Sequence, residues 1–513
     1  MFACLYVPDF PVAAVARGEP ELRSRPAAVL EGAPPLFTVT AANEKARAAG
    51  VTAGMNELEA RARCAELACR RRSPEQEEAA RAALLDCACS FSPRVEATAA
   101  EAVVLDISGL ERLFGPPASL AHRLAGRARE LGLRARVAVA ANPDAALDAA
   151  RGFPGVTVIS EGQEAERLGG LPLEVLAPPP DILETLERWG IRTLRALAAL
   201  PEVSVVERLG QPGLHLQKLA RGAVSRPLVP AEPALRFEET LDLESPLTLL
   251  EPLAFVLSRL LEQLCARLAT RTLATNELRL RCELEGMDEL SDGRHLHERT
   301  LRLPIPMLDP GLFLKLWRLD LAAHPPLAPV IQVALTAEPV KPQVAQNGLF
   351  QPLAPQPEKL ELVLARLAAR TGTGSVGSPE IEDTHRPEAF RMERFQPIAE
   401  LPNRRIAGLK DGHGTAQPDS SIPHLPLLAL RLFRPPRTAT VEMRRGRPAR
   451  IFSSGTRADV LWLAGPWRSS GDWWSEPAWA RDEWDVAVRN GSGIALYRLV
   501  REGERWSVEG EYD

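Results

Sequence analysis

The residue types that do chemistry are dispersed along this chain of 513 residues. A zinc site needs Cys or His in close pairs at fixed spacing. Cys64/Cys69 and Cys87/Cys89 have no matching pair, the 8 His are scattered, and seven cysteines is an odd number. No metal site is expected, and no cofactor. The thiols read as reduced, buried and structural, as in a cytoplasmic protein. His385, in Asp383-Thr384-His385-Arg386-Pro387-Glu388, has no Ser or Cys nucleophile arranged beside it and reads as a loop contact. Arginine and tryptophan are the informative types. Arg267, Arg271, Arg279 and Arg281 set positive charge along one segment, and a basic run spans Arg431–Arg450. Seven of the nine Trp (Trp462, Trp467, Trp473, Trp474, Trp479, Trp484 and Trp506) crowd into 451–513.

Bulk properties limit the classes. Lys+Arg total 62 and Asp+Glu 67, for a net charge of -5. That excludes a uniformly basic nucleic-acid binder but not a locally basic one, because phosphate binding follows clustered charge. With 45% hydrophobic and 25% charged residues the chain can bury cores, and its length predicts about three or four domains. No apolar run approaches the roughly 18–20 residues that span a bilayer, so no membrane association is expected. The N-terminus lacks a basic n-region and a long apolar h-region, so it does not read as a secretory signal.

The elements that must position these residues follow from pattern. Residues 1–170 alternate strands (Phe2–Val7, Pro26–Leu30, Phe37–Thr40, Ala102–Ile107, Ala135–Ala140) with helices (Asn43–Ala49, Asn56–Leu67, Glu75–Cys89, Leu120–Leu131), predicting a mixed sheet domain. In 171–235, Asp181–Trp189 and Leu194–Leu200 flank a Gly-Ile-Arg-Thr turn, which is either a helix-hairpin-helix or a plain helical linker. Residues 236–340 run β-α-β-β-α-β, the split βαβ order. From 341 to 450 the chain reads as a Pro-rich and basic linker carrying a helix at Pro357–Arg370, with ten Lys/Arg against three Asp/Glu in 403–450. Its basic run is either a solvated linker or a DNA or partner contact. The block 451–513 reads as a small acidic domain, β-rich and cored by Trp, although Trp467, Trp473 and Trp474 are also candidates for a partner surface.

This order of parts resembles the Y-family translesion DNA polymerases: palm with fingers, thumb, little finger. The anchors are Asp9-Phe10-Pro11-Val12, Ala42-Asn43-Glu44-Lys45-Ala46-Arg47, Val95-Glu96-Ala97 leading to Leu105-Asp106-Ile107-Ser108, and Val139-Ala140-Ala141-Asn142. The resemblance implies an α+β multidomain fold, with a small Trp-rich C-terminal domain added here. It also implies where catalytic groups would stand. Two-Mg²⁺ nucleotidyl transfer needs clustered carboxylates. The first metal-binding Asp position holds Val7, and the adjacent Asp-Glu pair is Glu101-Ala102. The triphosphate-steering Tyr is Glu44, its Arg partner survives as Arg47, the phosphate-contacting Lys is Leu147, and the sugar gate is Val12. One remaining ligand carboxylate cannot neutralise two divalent ions, so the resemblance predicts a palm without catalysis, Arg47 being a remnant of nucleotide binding. The alternative is an active translesion polymerase whose degenerate metal site uses Asp9, Glu101 and Asp106. Strand parity argues against it, because Glu101 and Asp106 differ by an odd number. Arg267, Arg271, Arg279 and Arg281, in the little-finger position, are expected to contact DNA.

Gln346-Asn347-Gly348-Leu349-Phe350 resembles the bacterial sliding-clamp-binding pentapeptide, with Leu349 and Phe350 filling an apolar pocket and Gln346 at its rim. Further stretches, Gly377-Ser378-Pro379 and Ala464-Gly465-Pro466-Trp467-Arg468, are similar to a non-catalytic branch of the Y family that serves as a bacterial mutasome adaptor. That branch implies DNA, the β sliding clamp, an error-prone C-family polymerase and a RecA-like accessory protein as partners in induced mutagenesis. A clamp-independent DNA-binding regulatory protein is the remaining alternative.

Overall fold

The computed structural model describes residues 1–342 apart from 34–35, 225, 232–234 and 287–294. Beyond that it describes 360, 363–367, 371, 376–382, 390–393, and 429–512 apart from 454–455, 472–477 and 491–492. They belong to two compact units, Met1–Arg370 and Thr371–Asp513.

The first unit opens with β1 (Phe2–Tyr6), α1 (Phe10–Gly18), β2 (Ala27–Glu31), β3 (Thr38–Ala42), α2 (Glu44–Ala48), α3 (Glu57–Arg63), β4 (Ala68–Arg71) and α4 (Pro74–Cys89). It continues through β5 (Val95–Ala99), β6 (Ala102–Asp106), α5 (Glu111–Phe114), α6 (Pro117–Glu130), β7 (Arg136–Ala140), α7 (Pro143–Gly152), β8 (Val156–Val158) and α8 (Glu164–Leu168). The palm-like sheet has the order β5-β6-β1-β7-β8. Its central strands are apolar at nearly every position because both faces are covered. One face packs on α4 and α6, the other on α7 and the helices that follow. A three-stranded sheet, β3-β2-β4, forms the fingers-like lobe with α2 and α3. Asn43, Asn56 and Ser73 cap α2, α3 and α4 by accepting backbone N–H groups.

The thumb-like segment holds α9 (Pro180–Arg188), α10 (Leu194–Ala198) and α11 (Glu202–Ala220). Gly190, at φ 77°, ends α9, and Thr193 caps α10, so the expected helix, turn, helix is present. The third element is two half-helices joined at Gly210 (φ 66°) just before Pro212.

The next segment is β9 (Phe237–Leu247), α12 (Leu250–Thr270), β10 (Ala274–Leu284), β11 (His295–Met307), α13 (Pro310–Ala323) and β12 (Val330–Val340). The strands lie in the order β11-β10-β12-β9, every pair antiparallel, with α12 and α13 on one face. Along β10, Leu278, Leu280, Cys282 and Leu284 point into that core while Arg279 and Arg281 face solvent. A buried ion network joins this segment to the palm. Arg17 of α1 donates to both oxygens of Glu239 on β9 at 2.9 and 3.0 Å. Arg267 of α12 donates to Glu239 at 3.1 Å and to Asp86 of α4 at 2.9 Å. Of the expected helix Pro357–Arg370 only 360 and 363–367 are described. They are helical, and Ala365 packs on the core beneath α12 and α13.

The second unit has a two-stranded ribbon, β13 (Ser378–Ile381) with β14 (Phe390–Glu393). It also has a closed barrel of β15 (Leu430–Arg444), β16 (Arg447–Ser453), β17 (Thr456–Gly471), β18 (Trp479–Asn490), β19 (Gly493–Glu502) and β20 (Arg505–Tyr512). Composition predicts a basic linker over 403–450, and the structure corrects this. Leu430–Arg450 supplies the first strand of the barrel and part of the second, so the domain starts at Leu430 and not at 451. Alternation accounts for it: Ala439, Val441 and Ile451 line the barrel core while Thr440 and Phe452 point out.

Candidate functional site

The site is built where β1 ends beside the turn before β6. Tyr6 is opposite Ala102, and the Val7 N–H donates to the Glu101 carbonyl at 2.8 Å. Val7, Glu101 and Ala102, the positions that the resemblance assigns to a two-metal centre, are therefore adjacent. Their chemistry is apolar: Val7 is 1% exposed and Ala102 is fully buried. Glu101 is half-buried, 3.6 Å from the Arg151 guanidinium on α7. Among the described residues no three His, Cys, Asp or Glu side chains gather in a way that holds a metal ion.

Asp9 follows in left-handed conformation, φ 50°, and pairs with Arg47, which also donates to the Ala42 carbonyl at 2.6 Å. Arg47, which the resemblance makes the remaining cation of a triphosphate clamp, is thus tied to a carboxylate. Around them a cleft of about 220 Å³ is lined by Asp9, Val12, Asn43, Glu44, Lys45 and Arg134 among others. Leu147 lies in the core between α7 and the sheet, and Glu44 is exposed. The alternative carboxylate set does not come together. Asp106 lies opposite Phe2 and Ala102 opposite Tyr6, a separation of about 14 Å at 3.4 Å per residue. Asp106 pairs there with Arg94 at 2.7 Å. Strand parity is corrected as the reason, since Glu101 sits in the turn and not on the strand. The length of β6 is what separates the two carboxylates.

One titratable group here escaped sequence reasoning. Asp148 of α7 is 4% exposed and its Oδ2 has no hydrogen-bond partner. Burial pushes its carboxyl up to about 8, against the pull of Arg151. All seven cysteines are free thiols; five are buried as expected, whereas Cys69 and Cys89 are only partly buried, and burial pushes Cys87 up to about 12, which keeps it protonated and inert.

The four expected DNA-contacting arginines divide. Arg279 and Arg281 are exposed on the open sheet face. Arg279 shares Glu277 with Arg302, a cation the sequence reading passed over. Arg271 is partly buried, 3.8 Å from Asp86. Arg267 is corrected outright: it is 1% exposed and saturated by Asp86, Glu239 and the carbonyls of Arg236 and Glu238, so it faces the palm and not solvent. The signal was its spacing of three and seven residues from Leu264 and Leu260, which places it on the apolar face of α12.

The clamp-like motif Gln346, Leu349, Phe350 lies outside the described residues, as do Trp473 and Trp474. Trp467 is 48% and Trp462 58% exposed. The Trp core of the tail is the stacked pair Trp484 and Trp506, ring centroids 4.9 Å apart.

Residues 5–151 match the impB/mucB/samB family. Over nearly its whole length the chain is similar to Protein ImuB of Caulobacter vibrioides, 26% identical over 491 residues, covering 90% of this chain and 99% of that protein. It is also similar to DNA polymerase IV of Brucella melitensis, 26% identical over 309 residues, covering 57% of this chain and 68% of the relative. Among solved structures, DinB from Sulfolobus solfataricus aligns with a TM-score of 0.40 at 17% identity, over 67% of this chain and 100% of that one. Among the described residues no helix is long and apolar enough to cross a membrane. The impB/mucB/samB match at 5–151 thus lies inside a longer likeness to Protein ImuB that covers 90% of this chain.

Proposed function

We propose that this protein is a catalytically inactive polymerase-like adaptor for translesion synthesis and induced mutagenesis. It binds DNA and the sliding clamp and recruits an error-prone C-family polymerase and a RecA-like accessory protein. The observation that carries the reading is the pair Val7 and Ala102, apolar and sealed in the core where the resemblance calls for metal-binding carboxylates. Phosphoryl transfer is nearly all positioning and charge stabilisation, and here both are missing. Glu101 is engaged by Arg151, Arg47 by Asp9, and Leu147 stands at the lysine position. The clamp contact is assigned to Gln346, Leu349 and Phe350, and DNA contact to Arg279 and Arg281. Trp467, Trp473 and Trp474 are assigned to partner binding.

Primer extension by the purified chain with Mg²⁺ or Mn²⁺ tests this. No template-dependent synthesis is expected. Synthesis that disappears on Asp9→Ala would establish an active, degenerate polymerase instead. The clamp assignment is read separately by pull-down: Leu349→Ala/Phe350→Ala loses the clamp, whereas undiminished capture removes the motif and favours a clamp-independent regulator.

A further inference from the structure

The β15–β16 hairpin differs in charge from the rest of its barrel. Residues 430–453 carry seven arginines and one carboxylate, while 456–512 carry seven arginines and ten carboxylates. The carboxylates nearest the hairpin are consumed locally: Arg450 lies 3.0 Å from Glu442 and 2.6 Å from Asp459. The tip is left uncompensated. Arg444, 70% exposed at its side chain, reaches only Glu442, at 3.6 Å. Among the described residues neither Arg445 nor Arg447, both exposed, has an ion-pair partner.

The backbone of the tip adds a second observation. Arg444 pairs with Arg447 across a two-residue turn whose central residues, Arg445 and Gly446, have φ of 51° and 78°. That is the positive-φ pattern of a type I′ hairpin turn, in which the first position suits Asn, Asp or Gly because a longer side chain's β-carbon crowds the following carbonyl. An arginine there gives up local stability and projects a guanidinium from the end of the hairpin. Behind the tip, aromatic rings are open to solvent. Phe452 is 37% exposed on the outer face, with the Arg457 guanidinium 5.3 Å from its ring centroid on the neighbouring strand. On that strand Leu461 and Trp462, 45% and 58% exposed, follow beyond Arg457.

Uncompensated guanidinia suit phosphates, and exposed rings suit unstacked bases. Duplex DNA offers the first and hides the second, so the combination fits a single strand. We propose that the outer face of the β15–β16 hairpin, from Arg445 and Arg447 at its tip to Phe452, binds single-stranded DNA. The inference rests on the reading that the chain works on DNA, and adds to it a contact in the second unit, separate from Arg279 and Arg281.

The test is fluorescence anisotropy of the full-length chain with a labelled oligothymidylate of about 16 nucleotides, between roughly 50 and 200 mM salt. Arg445→Asn/Arg447→Ala should weaken binding about tenfold and lower the salt slope by about 1.4, two phosphate contacts of a single strand. Because Asn suits the turn, the melting temperature should not fall. Phe452→Ala should weaken binding at least about fivefold through lost stacking. Arg279→Ala/Arg281→Ala is the comparison. If it weakens binding while the tip variant leaves affinity and slope unchanged, the proposal is overturned and the adaptor reading stands. The proposal is likewise overturned if the tip variant loses only an acidic protein partner. If the wild-type chain binds no DNA at low salt, both the proposal and the DNA part of the adaptor reading are overturned.

Discussion

A carboxylate in a two-metal centre is tolerable because cations neutralise it, and without them the same position favours an apolar side chain. Where the resemblance expects such carboxylates, Val7 and Ala102 are packed into the sheet and not left facing a hole. Asp148, one helix away, is the opposite case: a carboxylate kept in the core with one oxygen unpartnered. Its carboxyl is pushed from 3.8 up to about 8, so the folded chain holds a proton that the unfolded chain releases. Between those values the native state binds more protons, and stability falls as pH rises from about 4 to about 8. Asp148→Asn removes the ionisation while keeping the shape. It should raise the melting temperature a little at pH 5 and considerably more at pH 8, by roughly 2–4 °C for each kcal/mol recovered. Thermal melts of both proteins at the two pH values check this, and equal gains at both would mean that Asp148 does not titrate there.

At the scale of elements, the network of Arg17, Glu239, Arg267 and Asp86 joins α1, β9, α12 and α4. Removing one member strands the others without water. Arg267→Met leaves Asp86 buried, with Arg271 only at 3.8 Å, and should cost about 3–5 kcal/mol in denaturant unfolding. Arg279→Ala, on the open sheet face, should leave the unfolding midpoint where it is. Equal effects of the two would refute the burial contrast. These elements show what the sequence can and cannot reveal. The β-α-β-β-α-β order of 236–340 was readable because its periods are clean, whereas the helices at Phe10–Gly18 and Pro143–Gly152 and the short strands at Ala68–Arg71 and Val95–Ala99 were not read. Val7 and Ala102 were readable as apolar residues where the resemblance expects carboxylates. Arg267 and Glu239 were misread or missed because charge alone does not say which way a side chain points. The residues around them did: Glu239 lies on the same strand face as Phe237 and Leu241, which are buried, and Arg267 shares a helix face with Leu260 and Leu264. In Leu430–Arg450 the arginines and Pro435-Pro436 suggested a linker and masked the alternation at Thr438-Ala439-Thr440-Val441. Barrel closure pairs β15 with β20, some 70 residues away, and no local pattern reports such a pairing.

For the whole molecule, the net charge of -5 argues for weak attraction to DNA, and the distribution of charge argues otherwise. Arg279 and Arg281 are exposed in the first unit, and Arg445 and Arg447 in the second. Counterion release depends on how many phosphates a protein neutralises locally, not on its total charge. If these four arginines each meet one phosphate of a primer-template, the slope of log affinity against log salt should be about -3.6, and affinity should fall roughly a hundredfold between about 50 and 200 mM salt. Removing either pair should lower the slope by about 1.4–1.8, depending on whether it meets a single strand or a duplex. A flat salt response of the intact chain would mean that its polymerase-like body is kept for protein contacts alone. A steep response that survives loss of all four arginines would move the DNA path elsewhere, with Arg302 beside Glu277 as the next cation to change.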